Sequence, residues 1–316
     1  MTNTETFSVT DELLVAAPAA DVRAVLTDLT LWTQLHRTSV HTEVLGTDGD
    51  EQILQHWSLS GDAAVRTWRE RRVTSEDGSL IRFRHEQPEE PFTQLSGEWR
   101  FQPQSDGKTL VRNHHDFTVA AGSEHLVGEL TERLRRGHQD CLATLAYGAE
   151  NRAELEQLVI SFEDPLFIAG SIQDAYDYLW EADKWEERIP HIAKLDIEEP
   201  APQVQFFDME TSTPDGSSHT TRSVRIAVEP EIIVYKQTRL PALLDGHTGH
   251  WKFTRTPEGV IAAARHTATI KPSALGILGA GSTVQDARNY LRKVLSANSM
   301  SNLRLAKAYA EERADG

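Results

Sequence analysis

The sequence predicts an α+β protein of two tandem domains, each an antiparallel sheet with helices on one face. Three observations support this fold class: an internal repeat of domain length, a series of short strand patterns within each copy, and a long helical pattern that closes each copy. The 316 residues suffice for two domains of ordinary size, each with its own core. We therefore expect one domain over residues 1–150 and a second over residues 151–316.

The internal repeat starts near the beginning of the chain. Residues 14–32, LVAAPAADVRAVLTDLTLW, align without gaps on residues 167–185, FIAGSIQDAYDYLWEADKW, at an offset of 153. The offset falls to 152 where GEWRF at 97–101 matches GHWKF at 249–253. Three pairs of polar residues keep the same order: Arg69 with Arg222, Arg72 with Arg225, and His115 with His266. A repeat of this length exceeds a solenoid unit, so we interpret it as a duplicated domain.

Each copy is predicted to contain an opening strand, a short helical segment, several strands and a closing helix. The closing helices are expected over about 123–155 and 282–312, where apolar residues recur at helical spacing. The strands between them are short and separated by turn residues, which is typical of an antiparallel sheet.

Composition excludes several classes of partner. The net charge of −16 argues against nucleic acid and anionic membranes, because both require a cationic surface. The first residues lack a signal-peptide pattern, and no run approaches the ~18 apolar residues of a membrane helix. The single cysteine, Cys141, lies in an apolar helical pattern and fits a reducing compartment. We expect a soluble cytoplasmic protein that binds a small organic ligand or another protein.

Motifs for metals and nucleotide cofactors do not occur in the sequence. There is no glycine-rich phosphate loop, HExxH motif, Cys/His metal spacing or GxSxG elbow. The adjacent His114 and His115 would point to opposite faces of a strand, which disfavours joint metal binding. We expect no metal site.

Two histidines interrupt otherwise apolar strand faces. His266 alternates with Val260, Ala262, Ala264, Ala268 and Ile270, and His115 occupies the matching position in the first copy. Such a histidine is either a hydrogen-bonded core residue or a functional group, and its duplication is compatible with both. By the same alternation, Trp99 faces inward in the first copy, and His247 and Trp251 do so in the second.

The strand AVRTWRERRV, residues 64–73, contains four arginines. In the second copy Arg222 shares a face with Val224 and Ile226, so alternation favours Arg222 and its counterpart Arg69 as the inward pair. A β-bulge would reverse this assignment. An inward arginine implies a polar or water-filled pocket, whereas an outward one needs only solvent.

These segments resemble the polyketide aromatase/cyclases of bacterial type II polyketide synthases, and the tandem repeat is similar to their di-domain class. The resemblance rests on the arginine strand, PFTQLSGEW at 91–99, VRNHHDF at 111–117 and the long closing helix, and it covers essentially the whole chain. It implies two START-like helix-grip domains, in which a curved antiparallel sheet wraps around a C-terminal helix and encloses a cavity.

The resemblance also implies site residues. Family spacing assigns the catalytic arginine and histidine to Arg72 and His115 in the first copy, and to Arg225 and His266 in the second. This choice of arginine is opposite to the one that alternation favours. His138 is a further candidate, one helical turn before Leu142 on the closing helix. The candidate substrate-binding residues are Trp68, Arg69, Trp99, His138, Arg222, His247 and Trp251.

The implied function is regiospecific first-ring aldol cyclisation, dehydration, or both, of a poly-β-ketone bound to an acyl carrier protein, with no cofactor. A neutral imidazole can deprotonate a methylene between two carbonyls, and a guanidinium can stabilise the enolate. The alternative is a START-like carrier that holds a hydrophobic ligand without changing it. A third possibility is that one copy is catalytic and the other is a scaffold.

An acidic carrier protein would need a local basic patch on this acidic chain. The candidates are Arg133, Arg135, Arg136, Arg288, Arg292 and Lys293, although a solvated helix face explains them equally well.

Overall fold

The structure, a computed structural model, describes residues 5–189, 192–212, 218–228 and 230–315. The chain divides into two compact units, and the boundary between their main parts lies between Ala153 and Glu154. The sequence predicts this boundary after residue 150, three residues earlier. Both units have the predicted α+β architecture.

The described part of the first domain is a seven-stranded antiparallel sheet with three α-helices and a short 3-10 helix at Glu124–Leu126. Its elements are β1 Phe7–Val15, α1 Ala19–Thr27, α2 Leu29–Leu35, β2 Ser39–Asp48, β3 Glu51–Leu59, β4 Val65–Thr74, β5 Leu80–His85, β6 Phe92–Pro103, β7 Thr109–Val119 and α3 Val127–Glu150. The strand order is β1-β7-β6-β5-β4-β3-β2, so the first strand pairs with the last.

The second domain repeats this topology. After α4 (Arg152–Leu158) come β8 Val159–Ile168, α5 Ile172–Trp180, α6 Trp185–Arg188, β9 Ile192–Ala201, β10 Val204–Ser212, β11 Ser218–Val228, β12 Ile232–Arg239, β13 Leu244–Thr256, β14 Gly259–Ile270 and α7 Val284–Asp315. The strand order β8-β14-β13-β12-β11-β10-β9 matches that of the first sheet. The duplication inferred from the sequence is thus a duplication of the whole fold.

Local sequence explains where the helices begin and end. Asp28 caps α2, because its carboxylate accepts hydrogen bonds from the backbone N–H groups of Thr30 and Leu31 at 3.0 and 2.9 Å. Ser171 caps α5 through the N–H of Asp174 at 3.0 Å. The closing helix predicted over 123–155 ends at Glu150, because Asn151 leaves the helical conformation and its side chain donates to a carbonyl of the last turn.

The long helices pack on the sheets and leave room beside the core. Helix α3 contacts β1, β7 and α1, and α7 contacts β8, β14 and α5. The first domain has two apolar clusters, one around Phe101, Val111 and Leu145 and the other around Phe117 and Leu130. Among the described helices, none is long and apolar enough to cross a lipid bilayer.

Candidate functional site

A cavity of about 420 Å³ lies in the first domain between the sheet and α3. Its wall includes residues from both apolar clusters, among them Phe83, Trp99 and Leu95. Five sequence-predicted site residues line it: Trp68, Arg72, Trp99, His115 and His138. The cavity therefore combines an apolar wall with a few polar groups, as small-molecule sites commonly do.

Arg72 and His115 belong to one row that runs across the sheet. The register pairs Arg72 on β4 with Phe83 on β5, Phe83 with Gly97 on β6, and Gly97 with His115 on β7. Residues paired in this way point to the same face of the sheet. Both side chains therefore face the cavity from strands three apart, a backbone separation of roughly 14 Å.

Glycine at position 97 keeps this row open. A Cβ atom there would meet the His114 carbonyl oxygen at 2.1 Å and the Phe83 ring at 2.6 Å. Without that atom, the Phe83 ring lies edge-on to the His115 imidazole, with ring centroids 4.9 Å apart.

Arg72 is held by a buried ion pair. Its Nε donates to Glu70 Oε1 at 2.8 Å, and both side chains are about 9 % exposed. Burial alone would raise the pKa of Glu70, but the charges of Arg72 and two nearby histidines outweigh burial and lower it. Glu70 is therefore a carboxylate at neutral pH, and it orients the guanidinium through Nε. Among the described residues, Arg72 is hydrogen-bonded to Glu70 through Nε, so its terminal nitrogens are available to a ligand in the cavity.

Arg69 lies on the other face of β4. Its side chain is exposed and donates to Gln55 Oε1 at 3.2 Å. The prediction from alternation that Arg69 faces inward was therefore wrong. The residue that faces the cavity is Arg72, which the family spacing indicated.

Trp68 forms part of an aromatic wall. It stacks between the His56 and His85 rings, with centroids 4.8 and 5.9 Å away. Burial, opposed by the charge of Glu70, lowers the pKa of His56 to about 4. These neutral, flat side chains form a surface on which a planar conjugated ligand can stack.

His115 is the cavity end of a chain of three hydrogen-bonding side chains. Its Nδ1 lies 2.7 Å from Nε2 of His138, and Nδ1 of His138 lies 2.8 Å from Oδ2 of Asp11. Burial, followed by the proximity of His138, lowers the pKa of His115 well below its ordinary value. His115 is neutral at pH 7 and able to accept a proton.

The second domain surrounds its arginine with protein. Arg225 is 1 % exposed, and it donates to the carbonyls of Leu179 and Trp180, both at 2.7 Å, and to the Gln205 side chain. Its guanidinium carbon lies 4.7–5.3 Å from the centroids of three aromatic rings, those of Trp180, Trp185 and Phe207. Burial lowers the pKa of Arg225 to about 9.

Arg222 lies on the opposite face of β11 from Arg225. It pairs with Asp208 and, at 3.0 Å, with Glu198. Alternation was wrong here because Val224 and Ile226 are as deeply buried as the residues of the Arg225 face. Hydrophobicity could not distinguish two faces that are both buried.

His266 faces inward as predicted, within a buried polar cluster. Its Nδ1 lies 2.7 Å from the Tyr235 hydroxyl and 3.1 Å from Nε2 of His247. His247 also contacts Gln237 at 2.9 Å. Trp251, the remaining candidate in this domain, packs in the apolar core. The matched histidines of the two domains thus have different hydrogen-bond partners.

Sequence reasoning missed several polar residues of the first-domain site. Glu70 shares the alternation of Trp68 and Arg72, a signal that could have identified it. Alternation could not have identified Asp11, because its partner His138 lies 127 positions away in the chain.

The basic residues considered for carrier-protein docking differ in their surroundings. Arg133 and Arg136 line the cavity. Arg135 pairs with Glu132, Arg292 with Asp164, and Arg288 donates to two backbone carbonyls. Lys293 is exposed on α7. Of these six described residues, Arg133 and Arg136 are the two that line the cavity and could meet a substrate there.

A sheet wrapped around a long helix, twice in one chain and with a cavity lined by arginine and histidine, defines a di-domain helix-grip protein. A family model described as polyketide cyclase/dehydrase and lipid transport matches residues 6–150. Together with relatives that align over nearly the whole chain, this match shows that the chain belongs to the polyketide cyclase/dehydrase family, among its di-domain aromatase/cyclase enzymes.

The relatives cover nearly the whole chain. The bifunctional cyclase/dehydratase of the granaticin polyketide synthase of Streptomyces violaceoruber is 39 % identical, over 95 % of this chain and 93 % of its own. The corresponding actinorhodin protein of Streptomyces coelicolor is 38 % identical, over 94 % and 95 %.

Two solved structures agree with the fold. The di-domain aromatase/cyclase StfQ of the steffimycin pathway is 51 % identical, with a TM-score of 0.89 over 98 % of this chain and 100 % of its own. The di-domain BexL of the BE-7585A pathway is 31 % identical, with a TM-score of 0.87 over 96 % and 99 %.

Proposed function

We propose that this enzyme folds a poly-β-ketone, carried as a thioester on an acyl carrier protein, inside the first-domain cavity and forms its first ring by aldol cyclisation and dehydration. The observation that carries this proposal is the row that aims Arg72 and His115 into one cavity. The single cysteine is compatible with a cytoplasmic reaction.

His115 starts the reaction as a general base. A methylene flanked by two carbonyls is acidic, and the neutral imidazole takes one of its protons. The electron pair left on carbon attacks a second carbonyl carbon of the folded chain and forms the new C–C bond. The imidazolium then returns the proton to the new alkoxide, which completes the aldol product.

Arg72 stabilises the negative charge that develops on oxygen in the enolate and the alkoxide. Because Glu70 fixes the guanidinium before substrate binds, little reorganisation is needed in the transition state. The same two groups serve dehydration: His115 removes a second proton from the nucleophilic carbon, and the hydroxyl leaves as water with that proton.

Cavity shape selects the ring. A flexible polyketone can close in several ways, and the walls exclude geometries in which the wrong carbon meets the wrong carbonyl. The stacked Trp68 and the edge-on Phe83 give the cavity flat surfaces that suit a conjugated, planarising product.

The second domain, in this proposal, supports the fold without carrying the reaction. Arg225 is enclosed by carbonyls and aromatic rings, and His266 is held by Tyr235 and His247. Both side chains are enclosed by protein, and Arg225 Nε and His266 Nε2 are buried without a hydrogen-bond partner among the described residues. Arg72 and His115, by contrast, line a cavity that a substrate can enter.

Carrier-protein docking is assigned to the arginines at the first-domain cavity. Arg66, Arg133 and Arg136 all line it, and two of them lie over aromatic rings, Arg66 over Trp68 and Arg133 over Phe92. Cations at this position can attract an acidic carrier protein or the phosphate of its prosthetic arm despite the net charge of −16.

A reconstituted minimal polyketide synthase tests the proposal. Adding the enzyme should replace spontaneously cyclised shunt compounds with a single first-ring pattern, and Arg72→Ala should restore the shunt compounds. Arg69→Ala, on the opposite face of the same strand, is the matched control and should behave like the wild type. If the ring pattern is the same with and without the enzyme, the protein is a carrier and the proposal fails.

A further inference from the structure

We propose that Asp11 is a positioning residue for the first-domain reaction: through His138 it sets which nitrogen of His115 faces the substrate, and it stabilises the proton that His115 removes. The kinetic consequences of this inference depend on the proposed function, whereas the hydrogen-bond arrangement does not. Its structural basis is the continuous chain from Asp11 to His138 to His115, with contacts of 2.8 and 2.7 Å.

The carboxylate fixes the direction of the hydrogen bonds. An ionised carboxylate can only accept, so Nδ1 of His138 must carry the hydrogen that Asp11 binds. In a neutral His138 the other nitrogen, Nε2, then accepts, and it receives the hydrogen on Nδ1 of His115. The ring nitrogen of His115 that remains, Nε2, has a lone pair available to the cavity that this residue lines.

The same chain disperses positive charge during the reaction. When Nε2 of His115 takes a proton from carbon, its Nδ1 proton can move to Nε2 of His138, and the charge then lies beside Asp11. Burial lowers the pKa of His138, and the hydrogen bond and charge of Asp11 oppose that effect. The other ionisable groups that act on the two histidines are His85, His114 and Arg135, all cationic when charged. Asp11 is the counter-charge among them.

The second domain provides an internal comparison. Asp164 occupies the position of Asp11: Asp11 pairs with Asn113 two residues before His115, and Asp164 pairs with Ala264 two residues before His266. Asp164, however, binds Arg292 through two contacts of 2.6 and 2.8 Å.

An arginine cannot accept a proton, so Asp164 and its bound Arg292 do not form a counterpart of the first-domain relay from Asp11 to His138. Both aspartates lie near an arginine, Asp11 near Arg135 at 3.9 Å and Asp164 near Arg292 at 2.6 Å. The difference is that Asp11 also hydrogen-bonds a histidine that contacts the histidine of its row, whereas Asp164 hydrogen-bonds to Arg292.

Histidine tautomers in the full-length protein test the inference without substrate. Long-range 1H–15N correlation spectra at pH 7.5 should show His115 and His138 both protonated on Nδ1, the form less favoured by free imidazole. Asp11→Asn should convert one or both to the other tautomer or to a mixture, because an amide can donate as well as accept. Asp164→Asn is the matched control and should leave both signals unchanged. Finding His115 protonated on Nε2 in the wild type would overturn the inference, whatever the enzyme catalyses.

Kinetics supply the second readout. With a diffusible polyketone mimic, Asp11→Asn and His138→Gln should lower kcat roughly 10- to 100-fold, as when a carboxylate that orients a functional histidine is lost, with little change in KM. Asp11→Asn should also move the acid limb of the kcat profile to lower pH, because the histidine pair loses its counter-charge. Unchanged kcat and an unshifted acid limb contradict the inference, while loss of ring selectivity in the wild type would contradict only the proposed function.

Discussion

Phe83 and Tyr235 occupy equivalent positions in the two sheets and differ by one hydroxyl group, which in Tyr235 lies 2.7 Å from Nδ1 of His266. Both rings stand between the arginine and the histidine of their row. In the first domain Phe83 has no hydroxyl, and Nδ1 of His115 hydrogen-bonds to His138 instead. This hydroxyl is one of two differences around the row histidines; the other is His247, which contacts His266 where the first domain has Leu95.

Phe83→Tyr should give His115 a hydrogen-bond partner like the one that Tyr235 provides for His266. The new hydroxyl would donate to Nδ1 of His115 and compete with His138. It would favour the tautomer with hydrogen on Nε2, in which Nε2 cannot accept a proton from the substrate. We expect kcat to fall roughly 10-fold or more with the fold intact, measured as product formation beside the melting temperature. Tyr235→Phe is the reciprocal control and should leave the product pattern unchanged. A Phe83→Tyr enzyme of wild-type activity would contradict the assigned difference between the rows.

Removing Arg72 should destabilise the first domain as well as inactivate it. Arg72→Ala leaves the Glu70 carboxylate buried without its partner, which costs roughly 3–5 kcal/mol of unfolding free energy. Urea denaturation of Arg72→Ala and of the double variant Glu70→Gln/Arg72→Ala measures this. The double variant should recover part of the loss because no buried charge remains. Arg69→Ala should change stability by less than about 0.5 kcal/mol. Equal losses in the single and double variants would argue against the buried pair.

Gly97→Ala should disturb the site through the backbone. Its Cβ would lie 2.1 Å from the His114 carbonyl oxygen, so the strands β6 and β7 must separate beside His115. We expect a loss of roughly 1–3 kcal/mol in stability and a loss of ring selectivity, measured by denaturation and product analysis. Gly107→Ala, in an open turn where φ is 78°, is a comparison that should cost stability alone. Full selectivity in Gly97→Ala would show that the row tolerates an added methyl group.

Stability should fall as pH decreases from about 6.5 toward 4.5. Burial lowers the pKa of His56 and of His266 to about 4, and it lowers those of His115 and His247 well below their usual value. These groups are neutral in both states well above pH 6.5, the ordinary pKa of histidine, and add no pH dependence there. Below it the unfolded chain binds protons that the folded chain does not, which stabilises the unfolded state and lowers the free energy of unfolding.

Denaturation curves at half-unit pH intervals measure this slope. His266→Gln should make it shallower, because one of the histidines that bind a proton more weakly in the folded state is removed. A stability that rises between pH 6.5 and 4.5 would mean that these histidines are protonated in the folded protein.

Much of the fold could be predicted from the sequence, because the internal repeat indicated two copies of the same domain. Arg72 could be matched to Arg225, and His115 to His266, because the residues of the two copies follow the same order along the chain. Alternation placed both histidines on the correct face, because each of their strands has one clearly apolar face. Alternation was wrong for the arginines because both faces of β11 are buried. The contact between Asp11 and His138 arises only when the first strand and the closing helix meet, which no local pattern encodes.

Paired substitution of the two row histidines tests the central claim most directly. His115→Gln and His266→Gln are compared in the reconstituted synthase at equal concentration, after circular dichroism confirms that both are folded, and the measured quantity is the fraction of product with the enzyme-directed first ring. The account predicts that His115→Gln reduces this fraction to the level without enzyme and that His266→Gln leaves it unchanged. Directed cyclisation by His115→Gln, or its loss in a folded His266→Gln, would contradict the assignment of the reaction to the first domain.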